Sequence, residues 1–381
     1  FAQLKRAPLS LTRRVAEIEG VASVRARVVM GVTLDVPGLD EPASGRLVAV
    51  PERRASMIND VHLTRGRYVE PERPDEVIAS KAFATANNLA LGDTLGAVIN
   101  GRWQQLTIVG IGLSPEYIYE AGGGTIFPDN RRFGVLWMGE TALAAAFNME
   151  GAFNDVALTL SAGAMEAEVI ARLDDVLARY GGLGAYGRDE QLSHRFISDE
   201  IAQNRITSTF LPAIFLGVAA FLLHIVLSRL VALQRTEIGL LKAFGYSNFD
   251  VGMHYLKLAA ITVLSGVAIG AAGGLYLGAQ LTNVYQAYYR FPTLPFAVTP
   301  EVIAIGVAVS LAAATAGALS AVRRAAVLPP AVAMRPEPPP TYHASAIERS
   351  GLSRLLPASG RMIVRHLLRR RWNSFMSTFG I

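Results

Sequence analysis

Half of the 381 residues are hydrophobic (51%), 18% are charged, the formal net charge is +5, and the absence of cysteine excludes disulfides and thiolate metal sites. The charge is unevenly spread: residues 1–200 hold 20 Lys plus Arg against 26 Asp plus Glu, a net of −6, and residues 201–381 hold 16 against 5, a net of +11. A mildly acidic half joined to an apolar half with basic edges is a membrane-protein pattern; the cations are not interleaved with aromatics on a soluble face, so nucleic acid is excluded as the partner.

Residues 1–200 read as one mixed α/β domain. "LTRRVAEIEGV" (11–21) is a short amphipathic helix, and "SVRARVVMGVTLDV" (23–36) is β-rich. "EVIAS" (76–80) is a strand leading into the helix "KAFATANNL" (81–89). "LGAVINGRWQQLTIVGIGL" (95–113) is a hairpin, because Asn100-Gly101 supplies the positive φ values of a two-residue primed turn. "NDVALTL" (154–160) is a further strand. "AMEAEVIARLDDVLARYGG" (164–182) is a glycine-ended helix with Ile170, Leu173 and Leu177 on one face.

A polar helical pattern from Asp189 to Arg205 runs without a breaker into "STFLPAIFLGVAAFLLHIVLSRL" (208–230), with Pro212 in its first turns. Two more apolar runs follow, at 256–281 and 302–322. About 20 helical residues cover the roughly 30 Å of a bilayer core, so each run spans. Core helices of a globular protein would show a polar stripe, and these do not.

Lys and Arg near the span ends set the orientation. Arg229, Arg235, Lys242 and Lys257 surround the first connection, and Arg323, Arg324 and Arg335 follow the third span. The loop 282–301 carries a single cation among clustered Tyr and Phe. The first connection is therefore expected in the cytoplasm, and the aromatic loop and residues 1–200 outside. An outer domain leading into a span implies another span before Phe1. The chain starts without Met and closes inside the apolar run "FMSTFGI", so it reads as a fragment.

Beyond the third span, residues 337–358 form a proline-rich cytoplasmic linker. Residues 359–381, with "RMIVRHLLRRRWNSFMSTFGI", read as a basic amphipathic helix that begins another spanning repeat.

Signals for catalysis are poor. Gly182-x-Gly184-x-x-Gly187 follows a helix and opens no βαβ unit, so it reads as a flexible turn. There is no GxxxxGK[ST], HExxH or GxSxG, and the six histidines are scattered, so no catalytic or metal-binding residue is assigned. His224 is a titratable side chain inside the first span, with a pore or helix-packing role favoured over proton chemistry. "AGGGTIFPDNRRFG" (121–134) reads as a mobile surface loop. Gly266, Gly270, Gly274 and Gly278 recur every four residues in the second span, a small-residue face that lets helix backbones approach closely in lipid.

Between the first two spans lies "ALQRTEIGLLKAFGYSNFD" (232–250). Its pattern predicts a helix leaving the membrane, with Ile238 and Leu241 beside Phe244 on an apolar side and Arg235, Glu237 and Lys242 elsewhere. Gly245 supplies a left-handed terminator, and Ser247 with Asp250 a capping box for the next helix. Such an elbow, at about 232–245, is a docking surface for a soluble partner.

"VALQRTEIGLLKAFGYS" resembles the signature of FtsX/MacB-type ABC transporter permeases, with Arg235, one place from the commonest spacing, then Glu237, Ile238, Gly239, Leu240, Leu241, Lys242, Ala243, Phe244, Gly245 and Ser247. "AVRRAAVLPPAVAMRPE" (321–337) is similar to the family's segment after its last helix, and "LTRGRYVEPERPDEVIASKAFATANNLALGDTL" and "LTIVGIGLSPEYIY" follow the order of its outer domain. Lys257 stands in the region where many members carry an acid early in the span.

The resemblance implies a membrane protein with an α-helical transmembrane bundle and a large α/β extracytoplasmic domain. That domain is of MacB-like periplasmic core type at 1–200, and the FtsX-like permease domain occupies 201–336. It implies a plasma-membrane ABC permease subunit with no catalysis of its own, gripped at Arg235, Glu237, Ile238, Leu241, Lys242, Phe244, Gly245 and Ser247 by a separate cytoplasmic ATPase that binds ATP and Mg. Substrates of lipid, lipoprotein or peptide type, contact with membrane lipid, a periplasmic adaptor or secreted effector, and a pseudo-dimer with a second permease repeat are implied as well. The alternative within the family is a non-transporting mechanotransmission subunit regulating a cell-envelope hydrolase or sensor.

Overall fold

The structure is a computed structural model and describes residues 1–122, 127–327, 329, 331 and 334. The linker at 337–358 and the amphipathic helix at 359–381 lie outside the described residues, as does part of the loop 121–134. The chain divides into two units, one made of 1–204 with 279–296, the other of 205–278 with 297 onward. A segment far downstream, 279–296, thus folds with the first unit.

The first unit begins with β1 (Ala2–Pro8), α1 (Leu11–Ala16), β2 (Val21–Arg27), β3 (Val29–Asp35), β4 (Ala43–Val50), β5 (His62–Gly66), β6 (Glu76–Ser80), α2 (Lys81–Ala86), β7 (Thr94–Ile99) and β8 (Arg102–Leu113). It continues with β9 (Phe133–Gly139), α3 (Glu140–Ala146), β10 (Ala152–Leu160), α4 (Glu166–Leu177) and β11 (Gly182–Ala185). Two sheets result. One is antiparallel in the order β11-β1-β10-β2; the other runs β5-β8-β6-β9-β4-β3-β7. Because β7 also pairs with β8, six of those strands close into a barrel, with β5 appended to β8. Closure removes the unpaired edges that would invite aggregation.

Chemistry along each strand follows its place. β6 and β9 are buried at every residue; β9 and the middle of β6, Val77–Ala79, are continuously apolar rather than alternating, with Glu76 and Ser80 as buried polar ends of β6. The barrel core holds Leu34, Leu47, Val77, Leu95, Ile108, Leu136 and Met138. Asn100 and Gly101 have φ of 51° and 76°, the primed turn that the sequence requires between β7 and β8. A smaller core under the four-stranded sheet joins Leu4, Val15, Phe153 and Val156 to Val169, Leu173 and Leu177 of α4.

Three expectations need correction here. The helix predicted over 11–21 stops at Ala16, because Gly20 at φ 95° turns the chain into β2, and the space a Cβ would need there is taken by Ala164. The buried face of α4 is centred on Val169 rather than Ile170, since residues four apart align best along a helix. The glycines 182–187 do not form only a turn: Gly182–Ala185 is the edge strand β11 against β1. Its backbone is tied further by the Ala185 N–H donating to the Asp174 carboxylate at 2.7 Å.

A buried cation ties the four-stranded sheet to the segment that follows β8. Arg27, at the end of β2, donates through Nε to Asp155 of β10 at 2.7 Å and through both terminal nitrogens to Glu116 at 2.7 and 2.5 Å. Burial pushes the Glu116 carboxyl up, but the bidentate Arg27 guanidinium and the Asn59 amide outweigh it and hold it below the usual range. Asp155, with only one bond to the shared cation, is left raised by its burial.

Three long helices follow: α5 (Leu192–Leu233), then α7 (Asn248–Tyr288) and α8 (Pro300–Val327), with the short α6 (Arg235–Ala243) between the first two. All three long helices are long and apolar enough to cross a membrane. The chain is a membrane protein with, among the described residues, three such helices and a large α/β domain.

Candidate functional site: the elbow between the first two spans

The elbow is built by local sequence. α5 ends at Leu233; Gln234 takes a non-helical conformation, and α6 restarts at Arg235. The break therefore comes earlier than a helix simply leaving the membrane would put it. α6 ends in a Schellman motif. Gly245 sits at φ 95°, its N–H donates to the Lys242 carbonyl at 3.1 Å, and the Tyr246 N–H reaches the Leu241 carbonyl at 3.2 Å. Glycine is needed there because the left-handed conformation is unfavourable for residues with a Cβ.

Ser247 then starts α7 with the capping box. Its N–H donates to Asp250 Oδ2 at 3.0 Å, the Asp250 N–H donates to Ser247 Oγ at 3.2 Å, and the hydroxyl itself donates to Oδ2 at 2.6 Å. Two helix ends are closed within six residues, so the turn is specified rather than loose.

Packing divides the residues named from sequence. Ile238 and Gly239 face inward, and Ile238 is only 2% exposed against Val251 and Tyr255. Tyr255 donates to the Gln234 side chain at 2.9 Å, which pins the break between α5 and α6. Lys242 donates to the Ala326 carbonyl at 2.5 Å, in the last turn of α8, where a cation suits the helix dipole. Leu240 and Leu241 are exposed, and Phe244 is 75% exposed. The sequence grouping of Ile238, Leu241 and Phe244 on one apolar side is thus corrected. Ile238 holds the elbow to the bundle, while Leu241 and Phe244 point away from it, because α6 is short and only one of its faces meets α7.

Glu237 and Ser247 are exposed beside them. Tyr246 and Phe249, 71% exposed, extend this unburied apolar surface and were not picked out from sequence. Their signal was present: two aromatics bracket a capping serine in a turn that buries nothing. Large apolar side chains gathered at one place on a surface mark an interaction site.

Among the described residues, nothing packs closely on the glycine face of α7. A Cβ added at Gly266, Gly270 or Gly274 would meet nothing within 4 Å. Gly278 ends the same four-residue series. The close helix approach lies elsewhere, at Gly317 of α8, where a Cβ would stand 2.3 Å from the Ala220 carbonyl of α5. Around it Leu227, Ala259, Ala318 and Ala321 form a small core. His224 joins this packing, with Nδ1 3.1 Å from the Gly317 carbonyl and 2.8 Å from Ser320 Oγ, a polar tie between α5 and α8. Among the described residues, no group of three or more His, Asp or Glu is arranged to hold a metal ion.

The family model of the FtsX-like permease C-terminal domain matches residues 209–330. Solved structures similar to the chain include the extracellular domain of the noncanonic ABC-type transporter YknZ from Gram-positive bacteria, at 15% identity and a TM-score of 0.31, covering 48% of this chain and 90% of that one. The periplasmic region of MacB from Actinobacillus actinomycetemcomitans is similar at 11% identity and a TM-score of 0.31, covering 53% of this chain and 84% of that one. No curated protein sequence matches the chain. Residues 209–330, which hold most of the three long helices and the whole elbow, are an FtsX-like permease domain.

Proposed function

We propose that this chain is the permease subunit of an ABC transporter in a bacterial plasma membrane, and that the elbow is where a separate cytoplasmic ATPase grips it. The observation that carries the reading is the elbow itself. Within an FtsX-like permease domain, a helix closed at both ends presents Leu241, Phe244 and Phe249 to solvent while Ile238 and Lys242 anchor it to the helices behind. An exposed apolar patch on the same short helix as the exposed Glu237 suits a protein groove better than lipid, since a lipid-facing helix would carry no exposed charge.

In this reading ATP and Mg are bound by the partner, and hydrolysis takes place there. Hydrolysis in the partner moves the elbow, and α5, 42 residues of uninterrupted helix, carries that movement outward. The work done outside is export or extraction of a lipid, lipoprotein or peptide, with a second permease repeat completing the membrane part. The distribution of Lys and Arg supports this orientation, with cations at the elbow and after α8 and one cation in the loop 282–301.

Co-purification tests the docking. Glu237→Arg with Phe244→Asp is expected to abolish association with the ATPase while leaving the chain folded in the membrane. Retention of the ATPase by the double variant would sink the docking role.

A further inference from the structure

Residues 114–120, between β8 and the loop 121–134, are held within the first unit by the start of α5, the end of α7 and Arg27 of β2. Ser193, in the first turn of α5 and only 1% exposed, donates to the Glu116 carbonyl at 2.8 Å and accepts from the Tyr119 N–H at 3.1 Å. The Gln191 amide donates to that same Glu116 carbonyl at 2.8 Å. Phe196 stacks on Tyr119 with ring centres 4.2 Å apart and an interplanar angle of 19°.

The end of α7 arrives from another direction. Tyr289 lies 5.9 Å from the Tyr119 ring and stacks on Tyr285 at 5.9 Å. The Arg290 N–H donates to the Ile118 carbonyl at 3.0 Å. Tyr285 is itself bonded to Glu200 and Asn204 of α5, the Asn204 amide at 2.8 Å. From the same short segment the Glu116 carboxylate reaches Arg27, which also holds Asp155, its cross-strand partner in the four-stranded sheet.

We propose that residues 114–120 are the joint that fixes the outer domain to the ends of α5 and α7, with Ser193, Tyr119 and Glu116 as its positioning residues. The inference rests on the coupling role proposed above and names where movement of the helices enters the outer domain. A static interface could be filled as well by apolar side chains, since buried ion pairs add little net stability over well-packed hydrophobic groups. A polar network with directed bonds fixes orientation as well as position, which a joint transmitting rotation needs.

The test uses the full chain in complex with its ATPase in lipid nanodiscs. The chain has no native cysteine, so spin labels can be placed at will. One pair, at Trp103 and Ile201, both exposed in the first unit, reads the joint; a second, at Trp103 and Phe249, reads ATP-driven movement. In the native protein the first pair is expected to give one narrow distance, unchanged by ATP, and the second pair to shift. Ser193→Ala and Tyr119→Ala are expected to broaden the first distance and abolish the shift of the second, whereas Tyr119→Phe, which keeps the ring contacts, behaves as native. Should Tyr119→Ala fail to fold, Ser193→Ala, which removes one buried oxygen, carries the same expectation. A first-pair distance as narrow in both alanine variants as in the native chain overturns the joint. A second pair unmoved by ATP in the native chain overturns the coupling role instead, and the first pair without ATP still decides the joint.

Discussion

Two glycines in the membrane helices have opposite sensitivities, although sequence treats them alike. At Gly317 an added methyl meets the Ala220 carbonyl, so Gly317→Ala must push α8 away from α5 and disturb the His224 tie. Overpacking of this kind costs about 1–3 kcal/mol, and the melting temperature of the chain in detergent should fall. Gly270→Ala meets nothing within 4 Å and should leave that temperature unchanged. Glu120 gives a second residue-scale expectation. It is 3% exposed, bonded to Ser80 Oγ at 2.7 Å, and burial raises its pKa to about 7, against the opposing pull of that bond and of Arg290. An acid raised on folding binds its proton more tightly in the folded state, so its contribution is complete below the free value of 4.5 and is lost as pH rises through about 7. Thermal melts of the native chain should therefore fall between those limits by more than those of Glu120→Gln, which stays neutral throughout. Equal slopes would show that Glu120 is not the group responsible.

At the scale of the element, the elbow is specified by its ends rather than by its length. Gly245→Ala places a Cβ in the left-handed region, at a cost of about 1–2 kcal/mol, and Ser247→Ala removes the cap of α7, at a cost of about 0.5–2 kcal/mol. Both residues are exposed and touch no core. Their substitution should reorient α6 and weaken ATPase co-purification with a small loss of thermal stability. A full yield of ATPase with Gly245→Ala would show that the turn geometry does not position the docking patch. α6 differs from the long helices in where its stability comes from. Nine residues are too few to hold a helix in water, so Ile238 against Val251 and Tyr255, together with Lys242 on α8, must keep it in place.

For the whole molecule, the apolar windows of the three long helices are only 6%, 6% and 11% buried by this chain, so lipid or further helices must cover the remainder. A membrane-impermeant maleimide can check the orientation, because no native cysteine competes. Trp103→Cys, on the exposed hairpin of the outer domain, should be labelled in intact cells, and Phe249→Cys only after permeabilisation. The reverse pattern would invert the orientation and remove the elbow from the ATPase. By itself the sequence determined whatever depends on neighbours along the chain: three apolar runs long enough to span, the Asn100-Gly101 turn, the Gly245 terminator and the Ser247 cap. Each of these is set by the local backbone or by composition. Only the tertiary structure decided that strands far apart close into a barrel, and that Ile238 turns inward while Phe244 turns out. It also decided that Gly317, rather than the glycine series of α7, makes the close helix contact, and that Ser193 and Tyr289 meet at Tyr119. The meeting at Tyr119 joins residues 74 and 170 positions apart, and such a meeting leaves no periodic or local trace in the order of the amino acids.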